Sequence, residues 1–154
     1  MFSRKLVSIG CLLVLCMAIT GLSQGTGTIR YEVWDNIGGT AVADLTGNAN
    51  FPDNPSWDDE VALFETPTNW ADNFGGRLYG WLHPDTDGDY TFWLAADDGA
   101  DVWLSTTDDP ADAVLIVSED AWGGSRDWLG RGQSSSPITL EAGGKYYICL
   151  LYTS

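Results

Sequence analysis

The 154-residue chain is predicted to be an all-β protein, and three observations carry that expectation. Eight Trp, six Tyr and five Phe favour strands, because large rings fit a pleated, half-buried surface. Eighteen glycines, with almost no lysine, mark frequent turns rather than long helices. The third observation is the stretch from Gly88 to Leu104, GDYTFWLAADDGADVWL, in which Tyr90, Phe92 and Leu94 fall on one face and Val102 and Leu104 flank Trp103. That period of two is what a strand imposes, so two strands joined by an acidic tip, Ala96 to Gly99, are expected there. The length suits one domain able to bury a real core.

Residues 1–25 read as a secretory signal and are set apart from the fold, which is expected over 26–154. Arg4 and Lys5 precede an apolar run from Leu6 to Leu22, and the small residues Ser23 and Gly25 stand at −3 and −1 of a cleavage site. A membrane anchor is the alternative, but about 17 residues is at the short limit for crossing a bilayer. Taking Arg4 and Lys5 from the seven basic residues leaves five against 22 acidic ones, a mature formal charge of about −17. Such a surface repels nucleic acid and favours cations. Cys11 and Cys16 leave with the signal, so Cys149 stands alone without an intrachain disulfide, and no zinc-type Cys/His spacing is present.

In the mature chain, Thr28 to Trp34 alternates polar and apolar residues and opens the fold as a strand. Asn36 to Gly39 breaks it, and Thr40 to Trp57 (TAVADLTGNANFPDNPSW) reads as a loop wrapped over the body. Asp58, Asp59 and Glu60 are expected as a solvated rim before a short strand, Val61 to Phe64. Glu65 to Gly76 is loop again, and Arg77 to Leu82 is the strand before the central pair, with Tyr79 and Trp81 sharing a face. Beyond that pair, Ser105 to Asp112 is a polar loop and Ala113 to Val117 an apolar, buried strand. Ser136 to Leu140, a turn over Glu141 to Gly144 and a strand from Lys145 to Tyr152 close the chain, with Pro137 suiting an edge position.

Several stretches carry candidate chemistry. Asp97-Asp98-Gly99 reads as a solvated turn, since Asp and Gly suit tight turns, or as part of a Ca²⁺ site, since a hard cation takes about six to eight oxygen ligands. Asp85, Asp87 and Asp89 fail the EF-hand pattern, with Tyr90 at its glycine position and Ala96 in place of its bidentate Glu; a hairpin turn on Asp87-Gly88 accounts for them. Thr106 to Asp109 is an exposed candidate for a second cation contact. Ser118 to Gly132 is glycine-rich and holds Trp122 and Trp128 with Arg126 and Arg131. Indole faces stack on sugar rings while Arg or Asp bonds hydroxyls, so this loop suits sugar contact; packing over the end of the fold is the alternative. A glycoside hydrolase needs two carboxylates about 5 to 10 Å apart across a cleft, and no pair of acids here singles itself out. His83, the one histidine, has no nucleophile motif or metal partner beside it.

Gly88 to Phe92 (GDYTF), Asp97 to Gly99 (DDG), Val102 to Leu104 (VWL) and Ile138 to Ile148 (ITLEAGGKYYI) follow one another at spacings that resemble the protective-antigen domain family, the PA-fourteen β-barrel. The resemblance runs from about Arg30 to Tyr152. It implies an antiparallel β-sandwich or barrel, here lacking its last strand, because relatives continue beyond the strand matching Tyr146 to Tyr152 with a second loop that often adds an Asn to the calcium site. In sugar-binding relatives the Asp-Asp pair is joined by a cis peptide bond and holds one calcium that contacts ligand hydroxyls; Asp97 and Asp98 occupy those positions.

The expected function is a secreted or cell-surface, non-catalytic carbohydrate-binding module. Asp97 and Asp98 are its Ca²⁺ ligands, and Asp97, Asp98, Trp122 and Trp128 its contacts to glycans or cell-surface polysaccharide. No nucleic-acid partner and no membrane span in the mature chain are expected, and the domain is expected to belong to a longer multidomain protein. The alternatives are a structural or protein-interaction barrel and an accessory domain of a glycoside hydrolase.

Overall fold

The computed structural model describes residues 27–128 and 133–154. The expected leader with Cys11 and Cys16, and residues 129–132 of the glycine-rich loop with Arg131, lie outside the described residues. Among the described residues the strands follow as β1 (Ile29–Asp35), β2 (Trp57–Val61), β3 (Phe74–Leu82), β4 (Gly88–Tyr90), β5 (Trp93–Leu94), β6 (Ala100–Leu104), β7 (Val114–Glu119), β8 (Gln133–Ser134), β9 (Ile138–Leu140) and β10 (Tyr146–Thr153). One short α-helix, α1 (Val42–Thr46), interrupts them.

A six-stranded antiparallel sheet in the order β2-β1-β3-β10-β6-β7 forms one layer. The antiparallel pairs β4-β9 and β5-β8 form the other. Alternate residues of the large sheet turn inward, as the strand period requires: Tyr31 and Val33, Leu78, Val102 and Leu104, Ile148 and Tyr152 meet Leu94 of β5 and Leu140 of β9 in one core. The result is a β-sandwich.

The intervening residues face outward, and part of that face is covered too. Trp34, Ile37 and Leu45 make a smaller core under α1, with Phe51 and Leu151 against it. Glu32 is buried beside them, accepting hydrogen bonds from Arg77 Nε at 2.8 Å and Tyr79 Oη at 3.0 Å. The Arg77 guanidinium lies 5.5 Å from the ring centres of Trp34 and Phe51, so its charge is paired while its stem covers apolar surface. Cys149 is a buried free thiol on this strand face, and burial pushes it up to about 11.

The all-β expectation holds, but six local expectations need correcting. The strands flanking the acidic tip do not pair with each other: β5 pairs with β8 and β6 lies between β10 and β7, so Ala96 to Gly99 crosses from one layer to the other. Long-range partners on both sides of β6 outweigh the local hairpin. Asp87-Gly88 is likewise no hairpin turn, because β4 pairs with β9; the Asp87 carboxylate instead accepts the Ala142 amide at 2.7 Å. The strand expected at Val61 to Phe64 lies earlier, as β2, and the acids Asp58, Asp59 and Glu60 are within it. They are tolerated because β2 pairs only with β1 and its side chains stay in water. β3 starts at Phe74 rather than Arg77, since Gly75 and Gly76 let Leu45 and the Tyr152 ring sit where side chains would be. Finally, β7 is an edge strand with Val114 and Leu115 exposed, not a buried one, and the loop from Thr40 contains α1, anchored by Leu45.

Candidate functional site

The crossing from β5 to β6 carries the Asp-Asp pair, and three backbone hydrogen bonds hold it. Asp98 N donates to Thr153 O at 2.7 Å, Thr153 N donates to Gly99 O at 3.0 Å, and Gly99 N donates to Thr40 O at 2.9 Å. The loop thereby prolongs the pairing of β10 and leans on the segment before α1. A Cβ at position 99 would lie 2.5 Å from Thr40 O, so only glycine permits this approach. The Asp97–Asp98 peptide bond is cis.

Asp97 is exposed and Asp98 half-buried. Among the described residues neither carboxylate has a hydrogen bond or an ion pair, and no arginine or lysine neutralises them. Desolvation, and then the charge of Asp97, push the Asp98 carboxyl above its ordinary value. Two adjacent carboxylates without a counter-ion among the described residues are an electrostatic deficit that a divalent cation would relieve. No group of three or more Asp, Glu, His or Cys is placed to hold a metal among the described residues, so Ca²⁺ at this pair would draw its remaining oxygens from backbone carbonyls, water or a ligand. The donor chemistry, hard oxygens with spare negative charge, fits that ion.

The Trp122 loop is fastened to the same crossing. Gly123 N donates to Ala96 O at 2.7 Å, and Ala121 N donates to Glu119 Oε1 at 3.2 Å. Trp122 therefore lies between two fixed residues, yet its own side chain is 59% exposed. The backbone that carries this exposed indole is thereby tied to the crossing that carries the carboxylates.

The PA14 domain family model matches residues 38–154 of this sequence. The chain belongs to the PA14 domain family. Among curated proteins, this PA14 domain is 33% identical over 133 residues to mouse N-acetyl-beta-glucosaminyl-glycoprotein 4-beta-N-acetylgalactosaminyltransferase 1, covering 82% of this chain and 13% of that protein. The chain thus spans a small part of the relative's length. Among solved structures it is similar to a beta-glucosidase from Kluyveromyces marxianus, with TM-score 0.53, 20% identity and coverage of 82% of this chain and 14% of that one. It is also similar to the Epithelial Adhesin 6 A domain from Candida glabrata in complex with Galβ1-3GlcNAc, with TM-score 0.52, 19% identity and coverage of 84% and 76%. At these identities the structural likeness speaks for the fold.

The PA14 domain does not bring all the sequence-predicted residues together. Trp128 is 42% exposed, and no hydrogen bond or ring contact among the described residues joins it to Asp97, Asp98 or Trp122. Arg126 turns away, its Nη2 2.5 Å from Glu65 Oε2, which holds the Glu65 carboxyl below its ordinary value. Thr106 to Asp109 lies at the opposite end of β6 and is occupied locally: Asp109 Oδ1 accepts Ala111 N at 2.9 Å, and Lys145 Nζ lies 3.8 Å from Asp108 Oδ2. His83 is exposed past the end of β3. Sequence reasoning missed Thr40, Thr153, Ala96 and Glu119, which brace the site through backbone groups or a buried carboxylate; no local pattern marks such residues.

Proposed function

We propose that this PA14 domain is an extracellular, non-catalytic carbohydrate-binding module in which Asp97 and Asp98 hold Ca²⁺ and Trp122 stacks on the sugar. The observation that carries the reading is the unneutralised Asp97–Asp98 pair fastened, through Ala96, to the loop that presents an exposed, backbone-pinned indole. Calcium would supply a positive centre for two sugar hydroxyls, while the carboxylates orient it and Trp122 covers the apolar C–H face of the ring. Trp128, also exposed, is a second contact in this reading. The mouse glycosyltransferase relative and the Candida adhesin in complex with a disaccharide lend support, since each of those proteins has a glycan in its name or its complex. Placement outside the cell rests on the expected leader. Among the described residues no helix is long and apolar enough to cross a membrane.

Calorimetric titration of the domain with Ca²⁺ tests the metal, with Asp97→Ala and Asp98→Ala as controls. Saturable heat in the wild type that disappears in both variants is expected; equal heats in all three would remove calcium from the reading. A glycan array run with and without chelator then tests the ligand. Spots that vanish with chelator and with Trp122→Ala are expected. An array blank under all conditions would leave the structural or interaction domain as the better account, and sugar turnover would revive an accessory role in hydrolysis.

A further inference from the structure

Glu119 is the last residue of β7, paired with Ala100 across the sheet, and only 4% exposed. Its Oε1 accepts the Ala121 amide. Its Oε2 is buried with no hydrogen-bond partner among the described residues. Burying a carboxylate with one hydrogen bond is costly, and an apolar side chain at this buried strand end would avoid that cost. Its neighbours locate the use of that carboxylate: two residues on from Ala121 the chain is caught again, by Gly123 N on Ala96 O, one residue before Asp97. Glu119 and Ala96 thus grip the two sides of Trp122, one from β7 and one from the acidic crossing. Neither grip touches the indole, which remains exposed.

We infer that Glu119 is a positioning residue for carbohydrate recognition: its carboxylate fixes Ala121, and through it the backbone that presents the Trp122 ring from the loop tied to the Asp97–Asp98 crossing. The inference rests on the carbohydrate reading for its consequence, but the fixing of Trp122 can be seen without any ligand. Without the Glu119 bond the Trp122 loop keeps one anchor of two, and the ring must be ordered when sugar binds. Ordering a side chain on binding costs enough to weaken affinity by about three- to tenfold. Calcium affinity is set by the neighbouring crossing, whose three backbone bonds do not involve Glu119.

The test compares wild type, Glu119→Gln and Glu119→Ala in the described domain with its leader removed. The Trp122 indole N–H, assigned in ¹⁵N NMR spectra by its loss in Trp122→Phe, reports motion through its heteronuclear NOE. Galβ1-3GlcNAc and Tb³⁺ serve as the probe sugar and probe cation. Glu119→Gln keeps an acceptor for Ala121 N and is expected to match wild type in both indole rigidity and sugar affinity. Glu119→Ala is expected to release the indole and lose three- to tenfold in sugar affinity with Tb³⁺ affinity unchanged. Should Glu119→Ala not fold, Ala121→Pro removes the donor instead, with the same expectation. An indole as rigid in the alanine or proline variant as in wild type overturns the inference, as does a glutamine variant no better than alanine. If the indole is released as expected but wild type binds no disaccharide, the positioning role stands and the carbohydrate reading falls.

Discussion

Tryptophan and carboxylate share a braced segment twice in this domain, Trp34 with Glu32 on one face of β1 and Trp122 on the loop tied through Ala96 to the Asp97–Asp98 crossing, in opposite surroundings. Trp34 is 1% exposed, and its Nε1 donates to Asn50 O at 3.1 Å. Glu32, two residues away on the same sheet face, is satisfied by Arg77 and Tyr79. Trp122 is exposed and the two aspartates have no partner among the described residues. Where every polar atom is paired and every ring covered, the residues hold the fold. Where charge is left unbalanced beside an open ring on a braced backbone, the fold holds the residues. A carboxyl raised as that of Asp98 is, on an open and braced loop, makes the second region a binding-site candidate.

The sharpest way to break this comparison is to remove each tryptophan in turn. Trp34→Ala empties the small core beneath α1 and uncovers Arg77, and a loss of about 3 to 5 kcal/mol is expected from urea unfolding. Trp122→Ala is expected to stay within about 0.5 kcal/mol of wild type, as exposed substitutions do, while abolishing any sugar signal. A Trp122 variant as unstable as the Trp34 one would make Trp122 part of the packing. Arg77→Ala comes next. It leaves Glu32 buried without its hydrogen-bonded cation, with only Arg30 Nε 4.0 Å away, and the loss of one partner from such a pair costs about 3 kcal/mol or more. Arg77→Met, which keeps the stem over Trp34 and Phe51, separates lost charge from lost packing.

The two regions also differ in how far they could be read from the sequence. Alternation gave β1, β6 and β10 nearly to the residue, because each has a large apolar face turned into the core: Val33, Val102 and Ile148 sit where a period of two puts them. Alternation cannot say which strand pairs with which, so the hairpins at Asp97-Asp98 and Asp87-Gly88 were expected and not found. The acid pair itself was legible as a motif. Its setting was not, since Thr40 and Thr153 meet Asp98 and Gly99 through backbone atoms that carry no residue signature. Edge strands misled for a related reason: with one side open, β2 keeps three acids and β7 two exposed aliphatics, so neither reads as what it is.

Gly99→Ala sharpens the comparison from the backbone side. The new methyl group meets Thr40 O, a backbone atom that cannot swing aside, so the crossing must shift. Overpacking of this kind costs about 1 to 3 kcal/mol. Because the shift moves Asp97 and Asp98 relative to each other, Tb³⁺ affinity is expected to fall along with stability. Stability lost with Tb³⁺ affinity intact would show that the bracing serves the fold alone.

The smallest expected effect has a distinctive sign. Asp98 has its carboxyl raised, by desolvation first and by the charge of Asp97 second. An acid raised in the folded state binds its proton more tightly folded than unfolded, so it favours the fold at low pH, and that contribution is lost as pH rises through the folded value. The window opens near the ordinary aspartate value of about 3.9 and extends upward. Paired acids, lowered in the folded state as Glu65 is by Arg126, give the opposite slope. Asp98→Asn is therefore expected to be marginally more stable than wild type at neutral pH, with the advantage fading on acidification. The difference between their urea midpoints, followed across that window, isolates Asp98 from the other acids. Under the proposed calcium reading, saturating Ca²⁺ is expected to reverse the order, because a cation held by both carboxylates would stabilise only the protein that keeps them. An asparagine variant less stable than wild type at neutral pH without calcium would mean that Asp98 has a partner holding the fold, and the contrast with Glu32 would dissolve.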